Sequence, residues 1–421
     1  MAQVSNVVEA LKYNYGANKV LYLFNEESPT FSILGKQKKP LGGRQQFILP
    51  IMVQNPGAFT GITEGGALPT ALQPDTTEAS FALQEYVGLY DVTWKLIQDA
   101  RSDKFAFQQA ITMLDQGLRR RIMRNLNADL IDDGRGRLGV LPAADDQTTV
   151  TLNSLPRMEV GMVVDVMDTD NDTVHGNSLT VTAVDTVNRT VTLSGAPSGT
   201  AAGDYIVIQD TCDDSQNDSL HSFGLLCAID DADPATVVGD FGVDRTAAGQ
   251  EFWESVVLSN SGTNRALTED LLLQAMDAQR EKGGAGVNAW LSNLAIVRRY
   301  HEILAGERFF ALSGPGTLSG GIGRKEKAVA EDGMTPYTFS DIPWHVDPYF
   351  GANTIVGMNT NHFFIGVGDN DVPRPISEIF ENIPFFRQTS SATFEVAWYY
   401  QMQLLSDNPA AGVKIEDVAE S

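Results

Sequence analysis

The chain has 421 residues, long enough for two or three domains and a sizeable core, and its 43% hydrophobic and 20% charged residues describe globular material. The formal net charge of −24 repels a phosphate backbone at long range and argues against a general nucleic-acid binder. Screening still leaves room for basic patches that act within about 10 Å. Two cysteines, Cys212 and Cys227, exclude a disulfide framework and a four-cysteine zinc site, leaving one bridge or two reduced thiols. The N-terminal MAQVSNVVEALKYNYG lacks a charged segment followed by an apolar one. No apolar run approaches the roughly twenty residues of a membrane span. A soluble intracellular product without a membrane partner is expected.

Residues 1–40 read as an arm. Val4, Val7, Val8 and Leu11 suggest a short amphipathic helix and Val20–Phe24 a strand, followed by Pro29 and the basic run Gly35-Lys36-Gln37-Lys38-Lys39-Pro40. So little apolar surface cannot support a domain, so the arm packs on something else, within the chain or outside it. Gln45–Gln54 (QQFILPIMVQ) and Thr77–Ile97 then read as two strands. Between them lies Asn55–Asp75, rich in Gly, Ala, Pro and Thr and nearly free of charge. So long a connection inside a compact domain implies a task or a wrong assignment. A projecting hairpin whose tip residues Phe59, Ile62 and Leu68 meet another molecule satisfies that rule; a flexible surface loop is the alternative.

From Asp103, an expected N-cap, the apolar residues Phe107, Ile111, Leu114, Leu118, Ile122, Leu126 and Leu130 recur at steps of three and four. They predict one helix of about 40 Å that stops at Gly134. Its other side carries Arg119, Arg120, Arg121 and Arg124, either a solvated, salt-bridged face or a contact for nucleic acid. Gly117 sits mid-helix at a cost of about 1 kcal/mol relative to Ala, unless close packing or a bend requires it. Asp132–Val140 (DDGRGRLGV) contains a literal G-x-G-x-x-G. A dinucleotide fingerprint follows a strand and opens a helix, whereas this one follows a helix, so a helix-terminating turn is the better reading.

Residues 148–210 hold five short strand signals (TTVTLNS, GMVVDVMD, NSLTVTAVD, TVTLSG and GDYIVIQ) with a tight link at Val187-Asn188-Arg189-Thr190. A small antiparallel barrel or sandwich inserted into a host domain is expected. Asp168-Thr-Asp170-Asn-Asp172 imitates the start of a calcium loop, but Thr173 replaces the turn glycine and Leu179 the bidentate Glu, so a solvated hairpin tip is preferred. Residues 240–345 turn to mixed α/β. Thr268 caps one helix that Gly283 stops, and Ser292 caps a second that Gly306 ends. The glycine loop Ser313–Gly323 lacks the Lys-Ser/Thr of a phosphate loop. Strands follow at Ile342–Val346, Thr354–Met358, Phe363–Val367 and Phe394–Leu405, and residues 406–421 read as a frayed acidic tail.

No catalytic, cofactor or metal site is discernible. His175, His221, His301, His345 and His362 fall in no metal spacing, and His301-Glu302 has Ala305 where a zincin needs its second His. His345-Val-Asp347 reads as structural rather than as part of a triad, and no G-x-S-x-G elbow occurs. The enzyme hypothesis has nothing specific to stand on.

The order of elements resembles tailed-bacteriophage major capsid proteins of the Hong Kong 97 type. The match runs through a basic arm, an apolar-tipped hairpin and a long helix ending in Leu130-Ile131-Asp132-Asp133-Gly134-Arg135-Gly136-Arg137-Leu138-Gly139-Val140. It continues through a mixed α/β region to the returning Tyr337–Pro348. The resemblance implies an α+β capsid fold: N-terminal arm 1–40, extended loop 41–97, spine helix of the peripheral domain 98–145 and inserted β domain 146–212. Residues 213–340 would be mainly the axial domain, and 341–421 the return strands and tail. It implies self-assembly, as pentamers and hexamers, into an icosahedral virion shell built in the host cytoplasm around packaged double-stranded DNA without sequence-specific contacts. Intersubunit contacts would then involve Phe59, Ile62, Leu68, Lys36, Lys38, Lys39, Arg119, Arg120 and Arg124.

Some family members cross-link through a lysine on the extended loop; here none lies between Lys39 and Lys95, so that link is not expected. Only about forty residues precede the loop, so a separate scaffolding protein is expected, along with portal and decoration or stabilising proteins. An encapsulin-like nanocompartment shell of the same fold is the alternative. A carbohydrate-binding or hydrolytic β-rich protein is the alternative of another class.

Overall fold

The computed structural model describes residues 29–38, 46–54, 57–62, 66, 70, 73, 75–93, 104–153, 155, 157–169, 173–213, 218–231, 243, 245, 251–284, 286–311, 337–368, 374–375, 386–387 and 393–420. The expected helix at 4–11, strand at 20–24, N-cap Asp103 and glycine loop 313–323 lie outside them.

The described chain opens with a short helix α1 (Pro29–Ile33) and strand β1 (Gly35–Lys38). The hairpin arm follows as β2 (Gln46–Gln54) and β3 (Asp75–Ala82), antiparallel from Gln46 opposite Ala82 to Gln54 opposite Asp75. The single strand expected over 77–97 is in fact two. It breaks at Leu83, and β4 (Gln84–Thr93) leaves the arm to pair with a strand more than 300 residues later in the body. The reason is a change of partner. Phe47, Ala79 and Phe81 are buried where the arm is rooted, and beyond that root the chain finds a new sheet.

The long helix α2 (Lys104–Asp129) has 26 residues, about 39 Å at 1.5 Å per residue. It lies across β4, and Gly88 makes that possible: a β-carbon there would stand 2.7 Å from Ile122 Cδ1 and 3.1 Å from Leu118 Cδ1. Gly117 is different. A β-carbon there meets nothing within 4 Å, so no packing among the described residues requires it.

All five strands expected between 148 and 210 are present, joined by a sixth from the turn after α2. They are β5 (Gly139–Val140), β6 (Thr149–Thr151), β7 (Val163–Met167), β8 (Val174–Asp185), β9 (Thr190–Leu193) and β10 (Tyr205–Ile208). They form one antiparallel sheet in the order β5-β10-β7-β8-β9-β6. The sheet curls until its edges touch, with Asn153 N–H donating to the Val140 carbonyl at 2.9 Å. Val150, Val164, Val181, Val191 and Ile206 are fully buried inside it. At the tight link, Asp185 Oδ1 accepts from the N–H groups of Val187 (2.9 Å) and Asn188 (3.1 Å). At the calcium-like run, Asp168 and Thr173 bond each other across a hairpin, as a solvated tip requires, and residues 170–172 lie outside the described residues. A small ribbon, β11 (Cys212–Asp213) with β12 (Asp218–Ser219), closes the excursion.

The remaining elements are α3 (Leu225–Ala228), β13 (Val256–Leu258), α4 (Glu269–Gly283), β14 (Ala289–Ser292), α5 (Leu294–Ala311), β15 (Tyr337–Phe339) and β16 (Ile342–Val346). After these come β17 (Ile355–Met358), β18 (Phe363–Val367), β19 (Arg374–Pro375), β20 (Phe386–Arg387), β21 (Thr393–Ser406) and β22 (Gly412–Ile415). They build two six-stranded sheets. One runs β1-β18-β21-β19 with β4 and β20 also on β21; the other runs β13-β22-β17-β14-β16-β15. The first holds the core shared with α2, including Phe363, Ile365, Tyr400 and Leu404, and the second packs Trp290 and Trp344 against α4 and α5, with Tyr300 of α5 in the same cluster.

Thr268 caps α4 as expected, accepting from Leu271 N–H at 3.2 Å, and Gly284 takes the left-handed conformation after Gly283. Three expectations are corrected. The cap of α5 is Asn293, whose Oδ1 accepts from Ile296 N–H at 3.1 Å; Ser292 belongs to β14 and takes Trp344 Nε1–H at 2.8 Å. The helix α5 runs through Gly306 to Ala311. The expected frayed tail is instead a buried strand. β22 sits between β13 and β17, Val413, Ile415 and Val418 are fully buried, and Lys414 is paired with Asp230 (2.7 Å) and Glu416 (3.0 Å). Acid-rich flanks hid a four-residue apolar core, GVKI. Truncation after Asn408 should remove a central strand and abolish soluble folding, and limited proteolysis of the intact chain should spare 412–418. Soluble, cooperatively melting truncated protein would contradict this placement.

Candidate assembly surface

The arm is bare beyond its root. Phe59 is fully exposed, Met52 and Ile62 are each 56% exposed, and Ile48 also reaches the surface. From Gln46 to Ile62 there is no Asp, Glu, Lys, Arg or His. Leu68, the third expected tip residue, lies outside the described residues.

The segment before the arm is docked, at least from Pro29 onward. Thr30 Oγ1 donates to Asp347 Oδ2 at 2.7 Å and Asn127 Nδ2 donates to the same oxygen at 2.8 Å. Phe31 N–H donates to Asn127 Oδ1 at 2.9 Å, so α1, α2 and the residue after β16 are joined at one point. Asp347 is fully buried; burial pushes its carboxyl upward against the hydrogen bonds it accepts from Asn127, Tyr349 and Thr30. Within His345-Val-Asp347, Asp347 thus serves as the acceptor that joins these segments. The basic run is not loose either: Lys36 and Lys38 stand on β1, the parallel edge strand along β18, and Lys39 lies outside the described residues.

The arginines of α2 divide. Arg124 and, at 3.7 Å, Arg121 pair with Glu159 just before β7, which is the salt-bridged reading. Arg119 is exposed and Arg120 half-buried. The described ones among the expected contact residues therefore do not converge on one spot; they are spread over arm tip, sheet edge and helix.

Sequence reading missed a buried ionic joint at the end of α2. Asp129 takes Arg157 Nη1 at 2.7 Å on one oxygen and His221 Nδ1 at 2.9 Å on the other. Asp132 takes Arg137 three times, through Nη2 (2.9 Å), Nε (3.0 Å) and the backbone N–H (2.6 Å). Arg157 also donates to the Arg137 carbonyl. Burial alone would raise Asp129 and Asp132, but the cations outweigh it and hold both carboxyls below the ordinary range. The glycines of the G-x-G-x-x-G follow from this joint. Gly134 and Gly136 have φ of +91° and +68°, and a β-carbon on Gly136 would lie 2.2 Å from the His221 ring. This confirms a helix-terminating turn. Neither cysteine forms a disulfide, and burial pushes the Cys227 thiol up to about 12. Among the described residues, no group of three or more His, Cys, Asp or Glu could hold a metal ion.

No protein-family model and no curated protein matches this chain. Among solved structures it is similar to the capsid asymmetric unit of cyanophage A-1(L), at 13% identity and a TM-score of 0.52, over 96% of this chain and 95% of that one. The fold is that of a phage capsid subunit. The capsid of the native GTA particle is also similar (11% identity, TM-score 0.47, 96% and 94% covered). So is the SrpI encapsulin of Synechococcus elongatus PCC 7942 (11% identity, TM-score 0.45, 98% and 96% covered). The phage-capsid likeness read from element order agrees with the similarity to the cyanophage capsid.

Arg157→Ala should take the guanidinium partner from the buried Asp129 carboxylate and cost about 3–5 kcal/mol in denaturant unfolding. Because Asp129 has a lowered folded pKa, its contribution is present above the unfolded value near pH 4 and is lost as pH falls through the folded one. Thermal melts between pH 7 and 3 should show that acid loss in the native chain and a smaller one in Arg157→Ala.

Proposed function

We propose that the chain is a structural shell subunit: a major capsid protein whose copies assemble as pentamers and hexamers into an icosahedral shell around the double-stranded DNA of a tailed phage. The observation that carries this reading is the arm. A rooted hairpin with an uncharged, apolar, solvent-exposed tip is unfinished in a single subunit and is completed by a neighbour. The capsid fold supports it. In this reading α2 is the spine helix of a peripheral domain, the curled sheet is an insertion, and the β13–β22 sheet with α4 and α5 is the axial domain. A separate scaffolding protein, a portal and stabilising proteins complete the particle. The interior holds packaged DNA without sequence-specific contacts.

The full-length protein, purified and imaged by electron microscopy, should form closed shells of uniform size, aided by the scaffold if one is required. Phe59→Asp should lower shell yield about tenfold or more, as expected for losing one buried aromatic contact, and leave the subunit's melting temperature unchanged. A protease-resistant single subunit that never assembles would refute the proposal. Shells holding an enzyme cargo instead of double-stranded DNA would favour the nanocompartment reading.

A further inference from the structure

The buried carboxylates of the ionic joint are matched by cations, Asp129 by Arg157 and Asp132 by Arg137. Asp347 is not. It is fully buried, and among the described residues no Lys, Arg or His forms an ion pair with it. Hydrogen bonds alone hold its two oxygens, and they come from three stretches of chain. Oδ2 accepts from Thr30 Oγ1 (2.7 Å), Asn127 Nδ2 (2.8 Å) and, at longer range, Thr30 N–H (3.4 Å), while Oδ1 accepts from Tyr349 N–H at 3.0 Å. Thr30 is itself fully buried and α1 carries no ionisable side chain. The ionisable groups around this contact come from the other elements: Arg124 of α2, Arg157 and Glu159 before β7, Tyr349 after β16 and His345 on it. Arg124 is committed to Glu159 and Arg157 to Asp129, and burial pushes the Tyr349 phenol up and the His345 imidazole down, so both rings are neutral near pH 7. One carboxyl group therefore fastens α1 to the last turn of α2.

A carboxylate buried without a cation is costly even when hydrogen-bonded, whereas the neutral acid is tolerated. We propose that Asp347 is a proton-dependent latch on the N-terminal segment: as the neutral acid it holds α1 against α2, and as the carboxylate it lets α1 come away and takes up water in its place. Thr30 suits both states, because its hydroxyl donates to the carboxylate and can turn to accept from the acid. The direction follows from burial, which pushes the docked carboxyl upward. With α1 away, the group regains water and titrates near the ordinary value of about 4. A proton therefore binds the docked form more tightly, so docking is strongest below the ordinary value and weakens as pH rises through the docked one. This is opposite to Asp129, whose contribution is lost in acid. From Gly35 onward β1 keeps its own pairing with β18, so the latch governs α1 and not the sheet that follows it.

The test is hydrogen exchange on the full chain, read by mass spectrometry in the peptide that contains Phe31, whose N–H donates to Asn127 Oδ1 only while α1 is docked. After correction for intrinsic exchange, protection there should be about tenfold greater at pH 5 than at pH 8, the factor carried by one unit of pKa difference. The β1 amides, corrected in the same way, should not change, which separates the latch from a general loosening. Asp347→Asn, which cannot ionise, should remove the pH dependence at Phe31. Equal protection at the two pH values in the native chain would overturn the proposal, and so would a change of the same size in β1. A pH dependence that persists in Asp347→Asn would assign the proton to another group and overturn it as well. None of these outcomes depends on whether the subunit builds a shell.

Discussion

Asp129 and the charges around it fix how the parts of this subunit meet. Three segments arrive at one place: the last turn of the long helix, the start of the curled sheet through Arg137 and Arg157, and the returning residues around His221. A buried carboxylate is tolerable only when cations and hydrogen-bond donors surround it, so each segment must present its charge or donor at the right point. The geometry leaves no room for side chains at the turn, and glycine at 136 is the result. Leu225 and Leu226 N–H groups donate to the Leu130 and Ile131 carbonyls at 2.8 and 3.1 Å, so the helix end is also closed by the returning chain. The joint makes the curled sheet an oriented attachment rather than a tethered one.

A second constraint comes from net charge. Copies that each carry −24 can approach closely only through surfaces free of acid or matched by cations. The arm is such a surface. Basic residues are used differently: Arg121 and Arg124 are committed to Glu159 inside the subunit, and Lys414 to Asp230 and Glu416. Among the described residues, these cations join parts of the subunit to one another.

Local pattern carried much of the architecture. The 3.6-residue stripe from Leu114 to Leu130 and the TVT, VVDVM and TVTL runs signal their elements through side chains a few residues apart, and these elements appeared where expected. Failures occurred where a distant partner decides. GVKI at 412–415 is too short and too acid-flanked to announce a central strand, and its burial depends on β13 and β17 arriving on either side. Asn293 displaced Ser292 as a cap because Ser292 was already claimed by Trp344, 52 residues later. The arm tip at Phe59 and Ile62 was readable as apolar residues in a long uncharged connection. Val87 and Leu89, both exposed on β4, were not, since alternation along a strand marks two faces without saying which one another part of the chain will cover.

Sequence by itself therefore determined composition-level facts: an acidic chain, an uncharged projecting stretch, a 26-residue helix and a run of short strands, all set by neighbours in the chain. Tertiary structure alone decided that Asp129 meets Arg157 and His221, that the last strand lies mid-sheet, and that one face of β4 stays open. Those outcomes depend on pairing and burial between residues tens to hundreds of positions apart, and periodicity holds no record of such distances.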